Sequence, residues 1–575
     1  MSRSVWLVAA ILLASSLVGC EGVKFKPLHG EPKTKAPAVA AKSSQKKPEP
    51  NATKPARKTR AEREQADEPA PQFDLTPSQF SFDTSAPTPS FNGGNFESSF
   101  SGTRSSGGPR YRSPGFSADD ATQRISTLIQ DSVNYGPTLI VWLLDRSPSA
   151  QGLVGQVTQR MSESYAKLTG DKEADRLLTA VISFGQEVTF AVDPPSSDVA
   201  QVREALTSLP VDSSGREQLF GAIKSALERY VSFRTQQRKE VIFIVVTDET
   251  GDDAQLVDSV IEEPKRLGIP FYVVGVPAPF GRTAGLAQAV EAPAGTPENV
   301  ANPVIRQGPE SRQKEMIQLG YWGGGSDLDL LDSGFGPFAL ERLCQATEGR
   351  FLAVRPASTG YGFGGGYAQQ WPSPGVYQFD PQIMRKYAPA YQSEADYQAL
   401  VTSNGAVRAL NRAAQLEPVT LSVYPQLEFE KKSEAQMSVD LARAQQVAAK
   451  LEPPLRTLQE TLAEGEKDRE KLTEPRLQAG YDLAMGRATA AYARISGYNS
   501  MLAALKSGKS FEKETSTVWM LVPADSIDTT SALKRMVEDS KKYLQRVIDQ
   551  HPQTPWALMA ERELQQPIGW KWSER

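Results

Sequence analysis

The chain has 575 residues, of which 39% are hydrophobic, and its 64 Lys and Arg against 68 Asp and Glu leave a net charge of −4. A charge this close to zero gives no indication of a nucleic-acid partner, and the low hydrophobicity predicts that part of the chain does not pack into a core. The only two histidines are His29 and His551, so histidine-based catalytic triads and HExxH zinc sites are nearly excluded.

Residues 1–20 have the pattern of a secretory signal peptide. Arg3 supplies a positive charge, residues 5–13 are apolar, and small residues precede Cys20. The apolar run is too short to span a bilayer comfortably, which favours a cleaved signal over a membrane helix. The end of the segment resembles the lipobox of bacterial lipoproteins. The resemblance implies that Cys20 is lipidated and anchors the mature protein to a cell membrane or envelope, on its extracytoplasmic side. An ordinary secretory signal with an accidental cysteine is the alternative.

Residues 21–116 are rich in Pro, Ser, Gly, Lys and Thr and have no apolar periodicity. A segment of this composition cannot bury enough apolar surface to offset the entropy of folding, so we expect a disordered tether. A flexible coil of this length has an end-to-end distance on the order of 55 Å, which would let the following domain reach well away from a membrane. The basic first half of the tether either lies on anionic headgroups or cell-wall polymers or is simply solvated.

Strand and helix patterns alternate from Ser117 onwards, and Ser117 is predicted to cap a first helix together with Asp120. Short apolar runs predict buried strands at 138–144, 178–184, 241–247, 270–274 and 350–354, with 187–191 as a hairpin partner. Amphipathic patterns predict the intervening helices at 154–168, 197–208, 217–230, 254–267 and 336–347. This alternation predicts an α/β fold with a doubly wound, mostly parallel sheet, and it places a ligand site at the carboxyl ends of the strands.

A DxSxS motif directly follows the first of these strands. It consists of Asp145, Ser147 and Ser149. A carboxylate and two hydroxyls on one loop are three hard oxygen donors, which suit a small divalent cation such as Mg²⁺. Asp248 follows the central strand, 241–247, in the same way. The two strand ends are therefore expected to form one site.

The DxSxS loop, the single hairpin strand, the acidic end of the central strand and the spacing between them resemble a von Willebrand factor type A (VWA) domain. The resemblance covers about residues 117–356 and includes an unusual Pro/Gly-rich insertion at 277–333. It implies a Rossmann-like fold and a metal-ion-dependent adhesion site, in which the three DxSxS side chains hold the metal and Asp248 contributes directly or through water. It also implies that the metal leaves one coordination position for an acidic side chain of a protein partner.

One position departs from this family's pattern. A threonine on the loop before a helix completes the metal site in the family, and the matching position here is Glu217. As a ligand, Glu217 would neutralise more of the cation's charge and weaken its attraction for an acidic partner. As a structural residue, Glu217 would form a capping box with Ser214, and Ser213 or Ser214 could then supply the missing hydroxyl. We favour the capping interpretation.

A Gly- and aromatic-rich connector at 357–430 leads into a helical module at 431–575. Two apolar stripes with alternating steps of four and three residues, separated by a charged stretch, predict an antiparallel helical hairpin of coiled-coil type. Pro453 and Pro454 are predicted to break or kink its first arm, while its apolar seams form a core or receive a partner helix. After a further helix at 533–548, the last segment resembles one tetratricopeptide-type helix pair.

Cys344 lies in an apolar helical pattern and is predicted to be a small core residue, because lipidation of Cys20 would leave it without a disulfide partner. Residues 507–510 resemble the end of a phosphate-binding loop but lack its first glycine, so no nucleotide is expected.

These features predict a membrane-anchored extracytoplasmic scaffold that binds a protein partner and is not an enzyme, and we identify no catalytic residues. A structural cell-envelope protein with a vestigial metal site, which assembles through its helical module, is the alternative. A carboxylate-dependent hydrolase is a third reading, although no pair of carboxylates is singled out for it.

Overall fold

The structure is a computed structural model, and it describes most of the chain from residue 117 onwards. The described residues are 117–167, 176–282, 285–286, 304–305, 308–320, 331–355, 379–419, 425–508, 510–513, 515–527 and 530–575. The predicted signal segment, Cys20 and the predicted tether lie outside them, as do the middle of the Pro/Gly-rich insertion and the first part of the connector.

A mostly parallel sheet with flanking helices forms the first half of the described chain. This half of the chain contains the strands β1 Thr138–Asp145, β2 Leu177–Phe184, β3 Thr189–Ser196, β4 Glu240–Val246, β5 Phe271–Gly275, β6 Gly285–Leu286, β7 Val304–Ile305 and β8 Arg350–Ala353. The central sheet has the order β3-β2-β1-β4-β5-β8, while β6 and β7 pair only with each other. All pairings in the central sheet are parallel except that of β2 with β3. This confirms the predicted doubly wound sheet and its single hairpin strand.

Helices cover both faces of this sheet. They are α1 Ala118–Tyr135, α2 Gln151–Lys167, α3 Val199–Thr207, α4 Leu219–Thr235, α5 Val257–Leu267 and α6 Phe338–Ala346. Alternate residues of β1 enter two different apolar cores, with Val141 on one face and Trp142 on the other, which is why the strand reads as a continuous apolar run. The predicted capping box of α1 is present, because the Ser117 hydroxyl accepts from the Asp120 amide and the Asp120 carboxylate accepts from the Ser117 amide. Cys344 on α6 is fully buried, as predicted.

The strand order reverses between β1 and β4. The chain passes from β1 to β2 on one side and returns to β4 on the other, so the crossover connections diverge between these two strands. The carboxyl ends of β1 and β4 therefore border a crevice, which is where doubly wound sheets bind their ligands. Both acidic strand ends predicted from the sequence lie at this crevice.

The second half of the described chain is mainly helical. Its helices are α7 Pro381–Met384, α8 Glu394–Ser403, α9 Gly405–Ala414, α10 Glu434–Ala463, α11 Pro475–Lys506, α12 Ser531–Gln550 and α13 Pro555–Leu564. The two long helices α10 and α11 form the predicted hairpin, and their apolar stripes are buried in one core. Because the seams pack within the chain, they are not available to a partner helix in this conformation. Of the predicted break or kink at Pro453 and Pro454, the break is wrong, since α10 continues through both prolines.

A three-stranded antiparallel sheet accompanies the helices and is not predicted by the sequence analysis. Its strands are β9 Glu428–Glu430, β10 Val518–Ala524 and β11 Gly569–Glu574, in the order β11-β10-β9. Trp519 of β10 and Trp570 of β11 are buried in the helical core. Within the segment predicted as a connector, α8 and α9 are regular helices, and α9 buries Val407 and Leu410.

The described ends of the insertion pack against the helical module. Arg476 of α11 is 4% exposed and donates to Glu310 at 2.7 Å and to Glu315 at 2.6 Å. The rings of Phe280 and Trp556 lie edge to face with centroids 4.7 Å apart. The insertion thus joins the parallel-sheet domain to the helices. Among the described helices, none combines the length and the apolar character that a bilayer crossing would need.

Candidate metal centre

The carboxylate of Asp145 lies at the end of β1, where that strand is paired with β2 and β4. Asp145 is 2% exposed. Its Oδ1 accepts the Ser147 amide at 2.7 Å, and its Oδ2 accepts the hydroxyl of Thr247 at 2.7 Å. Both oxygens of this carboxylate are therefore held by fixed donors, one on its own loop and one at the end of β4.

The two hydroxyls of the DxSxS motif lie beside each other at the same strand ends. Ser147 Oγ and Ser149 Oγ are 3.1 Å apart. Ser149 Oγ donates to Oδ1 of Asp248 at 3.3 Å, which joins the DxSxS loop to the residue that follows Thr247. The structure thus brings together all four predicted metal ligands, Asp145, Ser147, Ser149 and Asp248.

Glu217 does not form the predicted capping box. Helix α4 begins at Leu219, its N-cap residue is Gln218, and no side chain from the N-cap residue bonds to the helix. The orphan amides of its first turn are taken instead by Asp253, whose Oδ1 accepts from Phe220 at 3.0 Å and whose Oδ2 accepts from Gly221 at 2.7 Å. The capping interpretation is wrong because a residue distant in sequence performs that task.

Two hydrogen bonds with Asp252 hold the backbone of Glu217, and its side chain faces the strand ends. Its amide donates to Oδ2 of Asp252 at 3.1 Å, and its carbonyl accepts the Asp252 amide at 2.8 Å. The side chain is 7% exposed and interacts with the Ser147 hydroxyl and with the charges of Asp145 and Asp248. Within the described residues, its Oε2 atom is buried without a hydrogen-bond partner. Glu217 is therefore part of the site.

Burial and mutual repulsion favour the protonated form of these acids. Burial raises the pKa of Glu217 to about 10, and the negative charges of Asp145 and Asp248 add to this effect. Burial also raises the pKa of Asp145 and that of Asp248, despite hydrogen bonds that oppose the shifts. Buried carboxylates of this kind become ionised when a cation neutralises them. A bound cation would therefore reverse the preference of these acids for the protonated form.

The loop that carries Ser213 and Ser214 does not bring either hydroxyl into the site. Both residues are exposed, and the Ser214 hydroxyl accepts from the Arg216 amide of its own loop at 3.3 Å. No hydrogen bond among the described residues joins either serine to the DxSxS loop. The loop itself is fixed at Asp212, whose amide donates to the carbonyl of Arg146 at 2.8 Å and whose carboxylate pairs with the Arg146 guanidinium.

Two residues of this site are missed by the sequence analysis. Thr247 is the last residue of the predicted strand 241–247. A hydroxyl at the end of a strand is a local signal that this side chain could reach the end of the neighbouring strand. Asp253, in the acidic stretch after β4, is 4% exposed and bonded to α4. That role gives no local signal, because Asp253 follows its partners by more than thirty residues.

The donor set fits a small divalent cation. All candidate ligands are hard oxygen atoms, and the unpartnered buried oxygen of Glu217 is an acceptor that a cation would satisfy. In the described part of the chain, no three His, Cys, Asp or Glu side chains by themselves form a metal-binding group. A cation at this site would therefore depend on the hydroxyls of Ser147 and Ser149 as well as on carboxylates.

Known proteins are similar to part of this chain. No curated protein matches the chain. Among solved structures, the conserved hypothetical protein BatB from Bacteroides thetaiotaomicron is 16% identical, with a TM-score of 0.26, over 38% of this chain and 90% of that one. The VWA domain of SpRpn10 is 10% identical with a TM-score of 0.20, over 24% of this chain and 75% of that one. The N-terminal domain of TFIIH p34 is 12% identical with a TM-score of 0.23, over 38% of this chain and 91% of that one. Residues 140–304 match the family model of the von Willebrand factor type A domain.

Proposed function

We propose that this chain is a lipid-anchored extracytoplasmic scaffold that binds a protein partner through a divalent cation at the ends of β1 and β4. Domains of the VWA type generally mediate protein–protein interaction, which supports a role as an interaction module. The observation that carries the metal part of the proposal is the convergence of Asp145, Ser147, Ser149, Asp248 and Glu217 at the switch point of the sheet.

The proposed metal is Mg²⁺, which binds carboxylate and hydroxyl oxygens. Asp145 and the two serine hydroxyls would hold it, and Asp248 would act directly or through Ser149, to which it is already bonded. A bound cation would supply an electrophilic centre for an oxygen atom of the partner. In the family pattern that oxygen belongs to an acidic side chain, and Glu217 is the residue of this chain that departs from the pattern. The site contains neither histidine nor cysteine, and we assign it binding and no catalysis.

The anchoring part of the proposal rests on the sequence. Lipidation of Cys20 would place the chain at the envelope, and residues 21–116 would separate the VWA-type domain from the lipid surface. Metabolic labelling with a radioactive fatty acid tests this step. We expect label on the natural chain and none on Cys20→Ser; equal labelling of both would contradict lipidation at Cys20.

The metal step is tested by unfolding the full chain with and without excess Mg²⁺. A ligand that binds only the folded state stabilises it by about 2.7 kcal/mol at one hundred times its dissociation constant. We expect Mg²⁺ to raise the free energy of unfolding of the natural chain and to leave Asp145→Asn unaffected. No stabilisation of the natural chain by Mg²⁺ or Mn²⁺ would contradict the proposed site.

The partner step is tested in the cell envelope. A photo-crosslinking residue at Ser213, which is exposed on a loop that leads to Glu217, samples whatever protein approaches the site. We expect crosslinks that disappear on chelation of divalent cations and in the Asp145→Ala background. Crosslinks of unchanged yield in that background would mean that the partner does not use the metal.

A further inference from the structure

Glu217, which departs from the family pattern, bears a carboxylate that the fold directs into the site. Asp252 fixes the backbone of Glu217 on both its amide and its carbonyl, while Asp253 accepts from the first-turn amides of α4. The side chain has no structural task that competes with the site. It is more than nine-tenths buried, and within the described residues its Oε2 has no hydrogen-bond partner.

Glu217 gives the metal-loaded site a different net charge from the one that the family's threonine would give it. When a divalent cation is bound, ionised Asp145 and Asp248 would balance its two positive charges, and ionised Glu217 would add a third negative charge. The loaded site then has three negative charges against two positive ones. A neutral hydroxyl at position 217 would have left it balanced. An incoming carboxylate therefore meets net repulsion in this chain, whereas a neutral oxygen does not.

Glu217 also has the reach to act as a ligand. The hydroxyl of Ser147, which belongs to the proposed metal site, acts to lower the pKa of Glu217 and therefore lies near its carboxyl group. A carboxylate is a stronger ligand for Mg²⁺ or Mn²⁺ than a threonine hydroxyl, because it carries a full charge. The same residue would therefore strengthen metal binding and change what the metal accepts from a partner.

Resting on the function proposed above, we propose that Glu217 is a built-in metal ligand and the specificity-determining residue of the site. It holds the divalent cation more tightly than the family's threonine would, and it selects a neutral oxygen donor of the partner, such as a hydroxyl or an amide carbonyl, over a carboxylate. The resemblance to VWA domains implies that the metal accepts an acidic side chain of the partner, and the natural chain does not follow this pattern.

Mn²⁺ is a suitable probe, because calorimetry reports its affinity and water-proton relaxation reports the exchangeable positions on the bound ion. The experiment uses the full chain in three forms, the natural chain, Glu217→Thr and Glu217→Gln, with acetate as the carboxylate probe and acetamide as the neutral one. Circular dichroism and unfolding curves establish that each variant is folded. The Gln variant keeps the shape of the side chain and removes only its charge.

We expect Mn²⁺ to bind the natural chain at least about tenfold more tightly than either variant. We also expect acetate to displace water from Mn²⁺ in Glu217→Thr but not in the natural chain, while acetamide acts on both. Equal Mn²⁺ affinities, or equal displacement of water by acetate, would overturn the inference about Glu217. If only Glu217→Thr bound Mn²⁺, the inference about Glu217 would also be overturned, but the proposed function would stand. If none of the three forms bound Mn²⁺, both the inference and the proposed function would be overturned.

Discussion

The hydroxyl of Thr247 donates a 2.7 Å hydrogen bond to Oδ2 of Asp145, and the two side chains are 1% and 2% exposed. This bond connects the end of β4 to the end of β1 beside the switch point of the sheet. Because the Ser147 amide holds the other oxygen of Asp145, the orientation of that carboxylate is set by both strands. Thr247 is thus a positioning residue for the proposed metal site.

Replacing Thr247 by Val keeps the shape of the side chain and removes this hydrogen bond. We expect Thr247→Val to bind Mn²⁺ about 10- to 100-fold more weakly, because loss of partners that orient metal ligands has an effect of this size. Thr247→Ser retains the hydroxyl and is the matched control. Calorimetry of the three forms checks the prediction. An unchanged Mn²⁺ affinity in Thr247→Val would show that the hydrogen bond from Thr247 is not needed to orient Asp145.

The bonds from Asp253 to the first turn of α4 are expected to stabilise the domain. Asp253→Ala leaves the amides of Phe220 and Gly221 without their acceptor, and we expect a loss of about 1–2 kcal/mol in the free energy of unfolding. Urea denaturation measures it. Glu262→Ala, an exposed change on α5, is the control and should remain within about 0.5 kcal/mol of the natural chain. Equal effects of the two changes would exclude the capping role.

The buried ion pairs of Arg476 connect the insertion to the helical module. Arg476→Met would leave the fully buried Glu310 and the partly buried Glu315 without their cation, and we expect a loss of about 3–5 kcal/mol in the free energy of unfolding. Changing both glutamates to Gln in the same chain should restore much of this stability, because the uncompensated charges are then gone.

Arg412 provides a matched control for this prediction, since it pairs with Glu464 while remaining 54% exposed. Arg412→Met should cost less than about 1 kcal/mol. If Arg412→Met and Arg476→Met had the same effect on urea denaturation, the ion pairs at the insertion would contribute no more than a surface pair.

His551 is expected to make the stability depend on pH in the acidic range. It is 3% exposed, its Nδ1 lies 3.1 Å from the Tyr387 hydroxyl, and burial lowers its pKa to about 4. An unfolded histidine has a pKa of about 6.5. Between these values the unfolded chain binds a proton that the folded chain does not, so the free energy of unfolding falls as the pH drops from about 6.5 to 4.

His551→Gln removes this contribution and serves as the reference. We expect the difference in stability between the natural chain and the variant to shrink as the pH falls through this window, as measured by urea denaturation. A histidine NMR signal that is absent from His551→Gln should titrate near pH 4. Stability curves that run parallel from pH 6.5 to 4 would contradict a depressed pKa.

The sequence predicts those features that depend on local patterns. Apolar runs that end at Asp145 and before Asp248 locate β1 and β4, because a buried parallel strand needs apolar side chains on both faces. The capping box of Ser117 and Asp120 is likewise local and is present. Since β1 and β4 are neighbours in a doubly wound sheet, the convergence of their ends also follows from the pattern.

Features that depend on distant partners are not predicted. Ser214 and Glu217 have the spacing of a capping box, but Asp253 reaches the same helix end from another loop. In α10, packing of Leu455 and Leu458 in the hairpin core outweighs the local cost of two prolines, about 3 kcal/mol each in a helix interior. The strand β11 has a period-2 signal in Trp570 and Trp572, yet only its pairing with β10 distinguishes it from a tail.

Calorimetric titration of the full chain with Mg²⁺, for the natural sequence and for Asp145→Ala, shows whether the DxSxS loop holds a cation, because Asp145 is the carboxylate that this loop and β4 hold in place. We predict saturable heat for one site in the natural chain and none in Asp145→Ala. Indistinguishable heats from the two proteins would contradict a metal-binding role for this site.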